Sequence, residues 1–141
     1  MAAFVTARSV YDGHVNQLSQ AVAADFITQG HYAAHLRSMR SLYRSRRDGL
    51  LAALQKHVPW ATPLNAAGGL QFAVTLPRGT EQKLSREAAA VGVATPSLRA
   101  LCHGPKKMDG WLLGFAALQP GEIERAVRKL GNIRLKESRT P

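Results

Sequence analysis

The chain has 141 residues and a formal net charge of +10, and 45% of its residues are hydrophobic. That length suits one domain with a modest core, and the hydrophobic content excludes an intrinsically disordered chain. Cys102 is the only cysteine, which excludes an intramolecular disulfide framework and favours the cytoplasm. No apolar run is long enough to span a membrane, and none is placed as in a signal peptide.

The first predicted helix covers residues 15–29, with Asn16 or Ser19 as its N-cap and Gly30 as its left-handed stop. Four apolar residues recur along it at helical spacing: Leu18, Val22, Phe26 and Ile27.

A second, longer helix is predicted over residues 31–58 and ends at Pro59. Its apolar residues form a narrow stripe with a gap at Arg46 and Arg47, as in a helix that lies along a seam. Gly49 interrupts the helix interior, so a bend or close packing is expected there. The stripe consists of Tyr32, Leu36, Met39, Tyr43, Leu50 and Leu54.

Strands begin in the second half of the chain. Residues 60–69 are predicted as a loop because they combine prolines with a Gly-Gly pair. Residues 70–76 alternate apolar and small or polar side chains, which predicts a strand with one buried face. A helix capped by Thr80 and ended by Gly92 follows it.

Two more strands and a helix complete the predicted fold. The strand predicted over residues 93–101 contains a proline, so it is expected at an edge or a bulge. The apolar residues 111–116 form another strand, in which Gly114 marks a close approach of a second backbone. The last helix runs from Pro120 to Gly131, which stops it. The elements predict an α+β fold, with a mainly antiparallel sheet of about three strands covered by helices.

Arginines recur on one predicted face of the long helix, which holds five arginines but one acid between residues 31 and 48. Such a basic helix could lie against phosphates. It carries no base-reading motif, however, so a solvated or protein-interface face is the main interpretation, and non-specific nucleic-acid binding is the alternative. The arginines of this face are Arg37, Arg40, Arg44 and Arg47.

Other reactive residues indicate no catalytic or metal site. His31 and His35 have the i, i+4 spacing of metal ligands, but no third ligand accompanies them. Cys102 and His103 are adjacent in a predicted strand, where their side chains would point apart, so Cys102 is interpreted as a buried structural residue. No phosphate-binding loop, nucleophile elbow or carboxylate pair is recognisable.

Four collinear segments resemble the C-terminal part of the MocR-type regulators of the GntR family. The first, FITQGHYAAHLRSMRSLYRSRRDGLLAAL, is the most specific. In this family a winged-helix DNA-binding domain is joined to a fold-type-I aminotransferase-like domain that uses pyridoxal phosphate. The segments are residues 26–54, 66–77, 88–101 and 110–130.

The resemblance implies a small domain of the aminotransferase fold, preceded by a long interdomain helix. Residues 1–30 would lead from a large domain, residues 31–133 would form the small domain, and residues 134–141 a charged tail. The chain is thus expected to be a fragment of a transcription regulator that lacks the winged helix and the cofactor lysine. It would hold no pyridoxal phosphate alone and would not be catalytic alone.

Site and partner expectations follow from the same resemblance. The family arginine that binds the substrate carboxylate precedes a Gly-Phe-Ala-like segment, and this chain has Leu112 and Leu113 there. Arg99 is the nearby candidate that could replace it. The expected partners are the large domain or a homodimer partner, with self-association of the isolated chain, but no membrane and no specific nucleic acid.

Overall fold

A computed structural model describes residues 2–11, 16–104 and 107–133. Its five helices are α1 (Ala2–Tyr11), α2 (Gln17–Thr28), α3 (His31–His57), α4 (Glu81–Ala90) and α5 (Pro120–Gly131). Its three strands are β1 (Thr62–Leu64), β2 (Gln71–Thr75) and β3 (Gly110–Gly114), and a 3-10 helix covers Arg99–Leu101. None of the helices in these ranges is long and apolar enough to cross a membrane.

The chain divides into two compact units, Met1–Arg40 and Ser41–Pro141, with the boundary inside α3. The predicted division at residue 30 stays a prediction, and the predicted tail at residues 134–141 lies outside the described residues. In the first unit, α1 was not predicted from the sequence. Asn16 precedes α2, and its side chain accepts hydrogen bonds from the backbone N–H groups of Leu18 and Ser19, so Asn16 is the N-cap of the two candidates.

The sheet lies in the second unit and has the order β1-β2-β3, with both pairs antiparallel. Phe72 lies opposite Leu113 and Val74 opposite Trp111. All four are buried, and apart from the buried Gly110 at the start of β3 their neighbours along each strand are half-buried or exposed. The sheet therefore has one inner face and one open face. The prediction of a loop over residues 60–69 was wrong at β1, which is too short to show an alternating pattern.

One continuous core joins the inner face of the sheet to α3, α4 and α5. The helices contribute apolar side chains to this core, and the rings of Trp111 and Trp60 pack edge to face. This confirms the predicted α+β fold, a three-stranded antiparallel sheet covered by helices. The residues of the core with the least exposure are Leu54, Val58, Val74, Leu84, Ala88, Trp111, Phe115, Val127 and Leu130.

The strand predicted over residues 93–101 was wrong. Ser97 and Trp111 form only an isolated bridge, supported by hydrogen bonds from Leu98 N to Gly110 O and from Leu112 N to Pro96 O. Pro96 has no N–H to donate, which limits the ladder. The chain then turns into the 3-10 helix, which places Arg99 outside the sheet.

The prediction of a close backbone approach at Gly114 was also wrong. A Cβ on Gly114 would meet nothing within 4 Å, whereas a Cβ on Gly110 would overlap the carbonyl oxygen of Val74. The close backbone approach is therefore at the start of β3 and not near its end. Helix α5 ends at Gly131, as predicted, and a Cβ there would lie 2.5 Å from the carbonyl oxygen of His57.

Helix α3 departs from the predicted stripe in its middle. Leu50 and Leu54 are buried as expected, but Arg46, which the sequence places in the gap, is buried with them. Of the two alternatives predicted at Gly49, close packing was wrong, because a Cβ there would meet nothing within 4 Å, and a bend stays a prediction.

Candidate functional site

The predicted carboxylate ligand Arg99 lies beside Asp109, the residue that precedes β3. Its Nη1 atom is 3.4 Å from Oδ1 of Asp109, and the Arg99 side chain is 55% exposed whereas that of Asp109 is only 10% exposed. The second oxygen of Asp109 accepts a hydrogen bond of 2.7 Å from the backbone N–H of Gly79. One shielded carboxylate thus holds both the turn that carries Arg78 and the segment that carries Arg99.

Two open grooves flank Arg99. The first, of about 500 Å³, combines three cationic side chains with one carboxylate. We call it the basic groove; its lining is Thr75, Leu76, Arg78, Arg99, Lys107, Met108 and Asp109. The second, of about 700 Å³, shares Arg99 and Asp109 with the first and adds Glu81 and Arg86. The formal charges of its side chains therefore sum to zero.

Glu81 joins α4 to the segment before β3. Its side chain is buried and accepts hydrogen bonds from the hydroxyl of Ser97 and from the N–H of Gly110, the latter at 2.7 Å. On the same helix, Ser85 accepts a bond of 2.8 Å from the indole N–H of Trp111. Both oxygens of the carboxylate are therefore used in holding the fold, and Glu81 is not free for acid–base chemistry.

Leu112 occupies the place where the resemblance expects an arginine. It lies opposite Ala73 on the open face of the sheet and is half-buried. An apolar side chain there cannot bind a carboxylate, and Arg99 lies on a different segment. The carboxylate-binding role of Arg99 stays a prediction.

Arg46 is the charged residue that sequence reasoning missed. It is 9% exposed and its Nη1 atom donates to the carbonyl oxygen of Ala116. Its Nε atom is buried and has no hydrogen-bond partner among the described residues. Nor does any described carboxylate form an ion pair with it. Its neighbours Leu50 and Tyr43 in the apolar stripe were the available signal, because position 46 falls between them on the helix.

The predicted arginine face of α3 differs in its two units. Arg37 and Arg40 are exposed in the first unit. In the second unit Arg44 is exposed, whereas Arg47 is only partly exposed. The Nε and Nη2 atoms of Arg47 donate to Asp48 at 2.9 and 2.7 Å, and its Nη1 atom donates to the carbonyl of Ala67 at 3.1 Å. Arg47 is thus engaged within the fold.

His31 and Cys102 contact neighbouring groups within the described residues. His31 stacks on Phe26 with ring centroids 5.9 Å apart, and no group of three metal-ligating side chains occurs among the residues that the structure describes. Cys102 is half-buried, not fully buried as predicted, and its thiol donates to Leu98 O at 3.4 Å. It follows the 3-10 helix rather than lying in a strand, so the strand argument about His103 was wrong; His103 is exposed.

His57 and Glu124 connect the end of α3 to α5. The His57 Nε2 atom is 2.8 Å from Oε1 of Glu124, which also receives a bond of 3.4 Å from Arg128. The hydrogen bond from His57 lowers the pKa of the Glu124 carboxyl below its ordinary value of 4.5, with a smaller contribution from Arg128. Their place between two core helices indicates a structural role.

The lysines bear on whether this chain could hold pyridoxal phosphate. The described ones are Lys56, Lys83, Lys107 and Lys129, and none is buried. Lys107 lines the open basic groove, and the Nζ atom of Lys129 donates to a backbone carbonyl. An imine-forming lysine is activated by a desolvated pocket or a neighbouring cation. None of the described lysines lies in a desolvated pocket, although Lys107 has Arg78 and Arg99 as cationic neighbours in the basic groove.

Comparisons in sequence identify two kinds of relative. The chain is 34% identical over 116 residues to the probable rhizopine catabolism regulatory protein MocR of Rhizobium meliloti, covering 80% of this chain and 23% of that protein. It is 30% identical over 130 residues to aromatic-amino-acid aminotransferase 1 of Thermococcus litoralis, covering 88% of this chain and 30% of that enzyme. It thus spans a quarter to a third of their lengths. No protein-family model matches the chain.

Comparison in three dimensions gives a consistent result. The crystal structure of the multiple substrate aminotransferase MsAT from Thermococcus profundus superposes with a TM-score of 0.77 at 29% sequence identity. The match covers 89% of this chain and 32% of that enzyme. The likeness therefore extends over most of this chain but over only a part of the solved structure.

Proposed function

Since this chain matches the C-terminal domain of the MocR-type regulators and fold-type-I aminotransferases, we propose that it is the small domain of an aminotransferase-like transcription regulator. In that role it packs on a large domain that carries the cofactor lysine, and it helps to close the pyridoxal-phosphate site. The 141-residue chain does not transaminate by itself. The observation that carries the proposal is the fold match over 89% of the chain, and the surface positions of the described lysines support it.

An exposed apolar surface on α2 supports the need for a partner. Its stripe was predicted from the sequence, and in the structure all four members are exposed: Leu18, Val22, Phe26 and Ile27. At ~25 cal/mol per Å² of apolar surface, even a few hundred Å² left in water is worth several kcal/mol. We propose that the large domain covers this stripe, and that a second copy covers it when the chain is alone.

Sedimentation at several concentrations, together with binding of a hydrophobic dye, tests this role. The chain should self-associate or bind the dye, and Val22→Ser should weaken both effects because it removes apolar area. Gln20→Ser, on the same helix, is the matched control and should change neither. A monodisperse monomer at high concentration that binds no dye would contradict the proposal.

Non-specific nucleic-acid binding is the alternative function. Arg37, Arg40 and Arg44 are exposed, and none forms an ion pair with a carboxylate in the described parts of the chain. Together with the net charge of +10, this favours attraction to phosphates. We nevertheless assign these arginines to solvent or a protein interface, because no base-reading element accompanies them.

A further inference from the structure

The basic groove has a charge imbalance that the fold does not use. Arg78, Arg99 and Lys107 face one carboxylate, Asp109. Both oxygens of that carboxylate are occupied, one by the Gly79 N–H and the other by Arg99. Neither Arg78 nor Lys107 pairs with an acid within the described residues. The groove therefore offers a formal excess of two positive charges.

Asp109 fixes the two segments that carry the arginines of the groove. The Asp109 side chain is largely shielded from solvent, since it is only 10% exposed. Its bond to Gly79 N fixes the turn that carries Arg78, and the backbone bond of Leu76 N to Asp109 O (3.0 Å) fixes the end of β2 beside it. The contact with Arg99 uses Nη1 alone among the side-chain nitrogens. The rest of that guanidinium remains available to bind an oxyanion in two-point fashion.

The groove also has the size and the apolar wall of a small-molecule site. Its volume of about 500 Å³ lies in the range of roughly 300–1,000 Å³ typical of ligand pockets. Leu76 and Met108 are the apolar residues that line the groove. We propose that this groove binds a small organic dianion, with two negatively charged oxygen groups joined by a short carbon skeleton. The proposal rests on the groove alone and not on the proposed role of the chain as a small domain.

Succinate and inorganic phosphate are suitable probes, with acetate as the monoanion. Each is titrated into the full chain at constant ionic strength, and both heat and the arginine Nε–Hε nuclear magnetic resonance signals are recorded. We expect saturable binding of succinate, with the signals of Arg78 and Arg99 shifting first. Saturable binding of phosphate without binding of succinate would contradict the proposed ligand class. Acetate should bind about tenfold more weakly, because one charged hydrogen-bonding group is lost.

Variants distinguish binding at this groove from non-specific attraction of anions to a basic chain. Arg78→Gln and Arg99→Gln should each weaken dianion binding about tenfold, and Lys107→Gln by a smaller factor because an ammonium does not bind two-point. All three side chains are exposed, so the variants should keep the fold, which circular dichroism checks. Arg44→Gln removes the same charge from α3 and should leave the affinity unchanged. Absence of saturable binding, or an equal loss in Arg44→Gln, would overturn the proposal.

Discussion

The guanidinium of Arg46 donates a hydrogen bond to the carbonyl oxygen of Ala116, which joins the middle of α3 to the connection between β3 and α5. These residues are 70 positions apart in the chain. The bond sets where this connection lies against the helix. Its net contribution to stability is small, because the buried Nε atom has no partner in the described residues and desolvation of a cation is costly.

Arg46→Met should therefore be tolerated. Methionine retains the apolar stem and removes the desolvated charge, while Ala116 is only half-buried and its carbonyl can bond to water. We expect the free energy of unfolding to stay within about 1 kcal/mol of the parent. Arg46→Ala should cost about 2 kcal/mol more than the methionine variant, because the stem also loses its packing at ~0.8 kcal/mol per methylene. Urea unfolding measures both; a loss above ~2 kcal/mol in Arg46→Met would show that the guanidinium itself is required.

Gly110 and Gly114 form a matched pair at the two ends of β3. Gly110→Ala should destabilise the chain by about 2 kcal/mol or more, since its Cβ would overlap the Val74 carbonyl and the Leu98 side chain. Gly114→Ala should instead stabilise by roughly 0.5 kcal/mol, because an alanine is less flexible when unfolded and its Cβ meets nothing. Thermal unfolding of the two variants compares them directly. Equal effects would show that the close approach at Gly110 is not real.

The hydrogen bond between His57 and Glu124 predicts a pH dependence. Because the pKa of the Glu124 carboxyl in the folded chain is lowered, chiefly by His57, from an ordinary value of 4.5, its stabilising contribution is present above 4.5 and is lost as the pH falls through the lower, folded value. Glu124→Gln should therefore lower stability near neutral pH and cost less in strong acid. Unfolding at both pH values tests this, and His57→Gln in a double-mutant cycle assigns the effect. A difference that does not change with pH would contradict it.

Duplex DNA should bind this chain only weakly and without sequence preference. If Arg37, Arg40 and Arg44 each neutralise one phosphate, affinity should fall roughly 40-fold between about 50 and 200 mM salt, because counterion release scales with the number of contacts. Titration of several duplexes at two salt concentrations measures this, with the Arg40→Ala, Arg44→Ala double variant for assignment. Tight binding that survives the higher salt, discriminates between sequences and disappears in that variant would favour the nucleic-acid module.

The sequence predicted the helices and strands in which apolar residues recur over several positions. Helices α2, α3, α4 and α5 and strands β2 and β3 follow from runs of regularly spaced apolar residues, and the resemblance supplied the fold that joins them. Strand β1 could not be predicted, because three residues with a proline in the middle show no alternation. The sequence predicts a strand over residues 93–101, but Pro96 has no N–H to donate, and the pairing is limited to one isolated bridge between Ser97 and Trp111.

The candidate site was less accessible to prediction than the fold. Arg99 was singled out by its position alone, whereas its surroundings depend on Asp109 and Gly79, which lie 10 and 20 residues away from it in the sequence. Burial of Arg46 depends on an acceptor at Ala116, and a single charged residue within an apolar stripe is more often exposed. Long-range contacts of this kind leave no local pattern.

The central claim, that this chain is a small domain without its own cofactor site, is tested most directly by reduction with borohydride. The full chain is incubated with pyridoxal phosphate, reduced, digested and analysed by mass spectrometry to quantify the adduct on every lysine. We expect low, scattered modification of surface lysines, because none of the described lysines is buried and exposed amines form only weak imines. One stoichiometric adduct on a single lysine would contradict the claim.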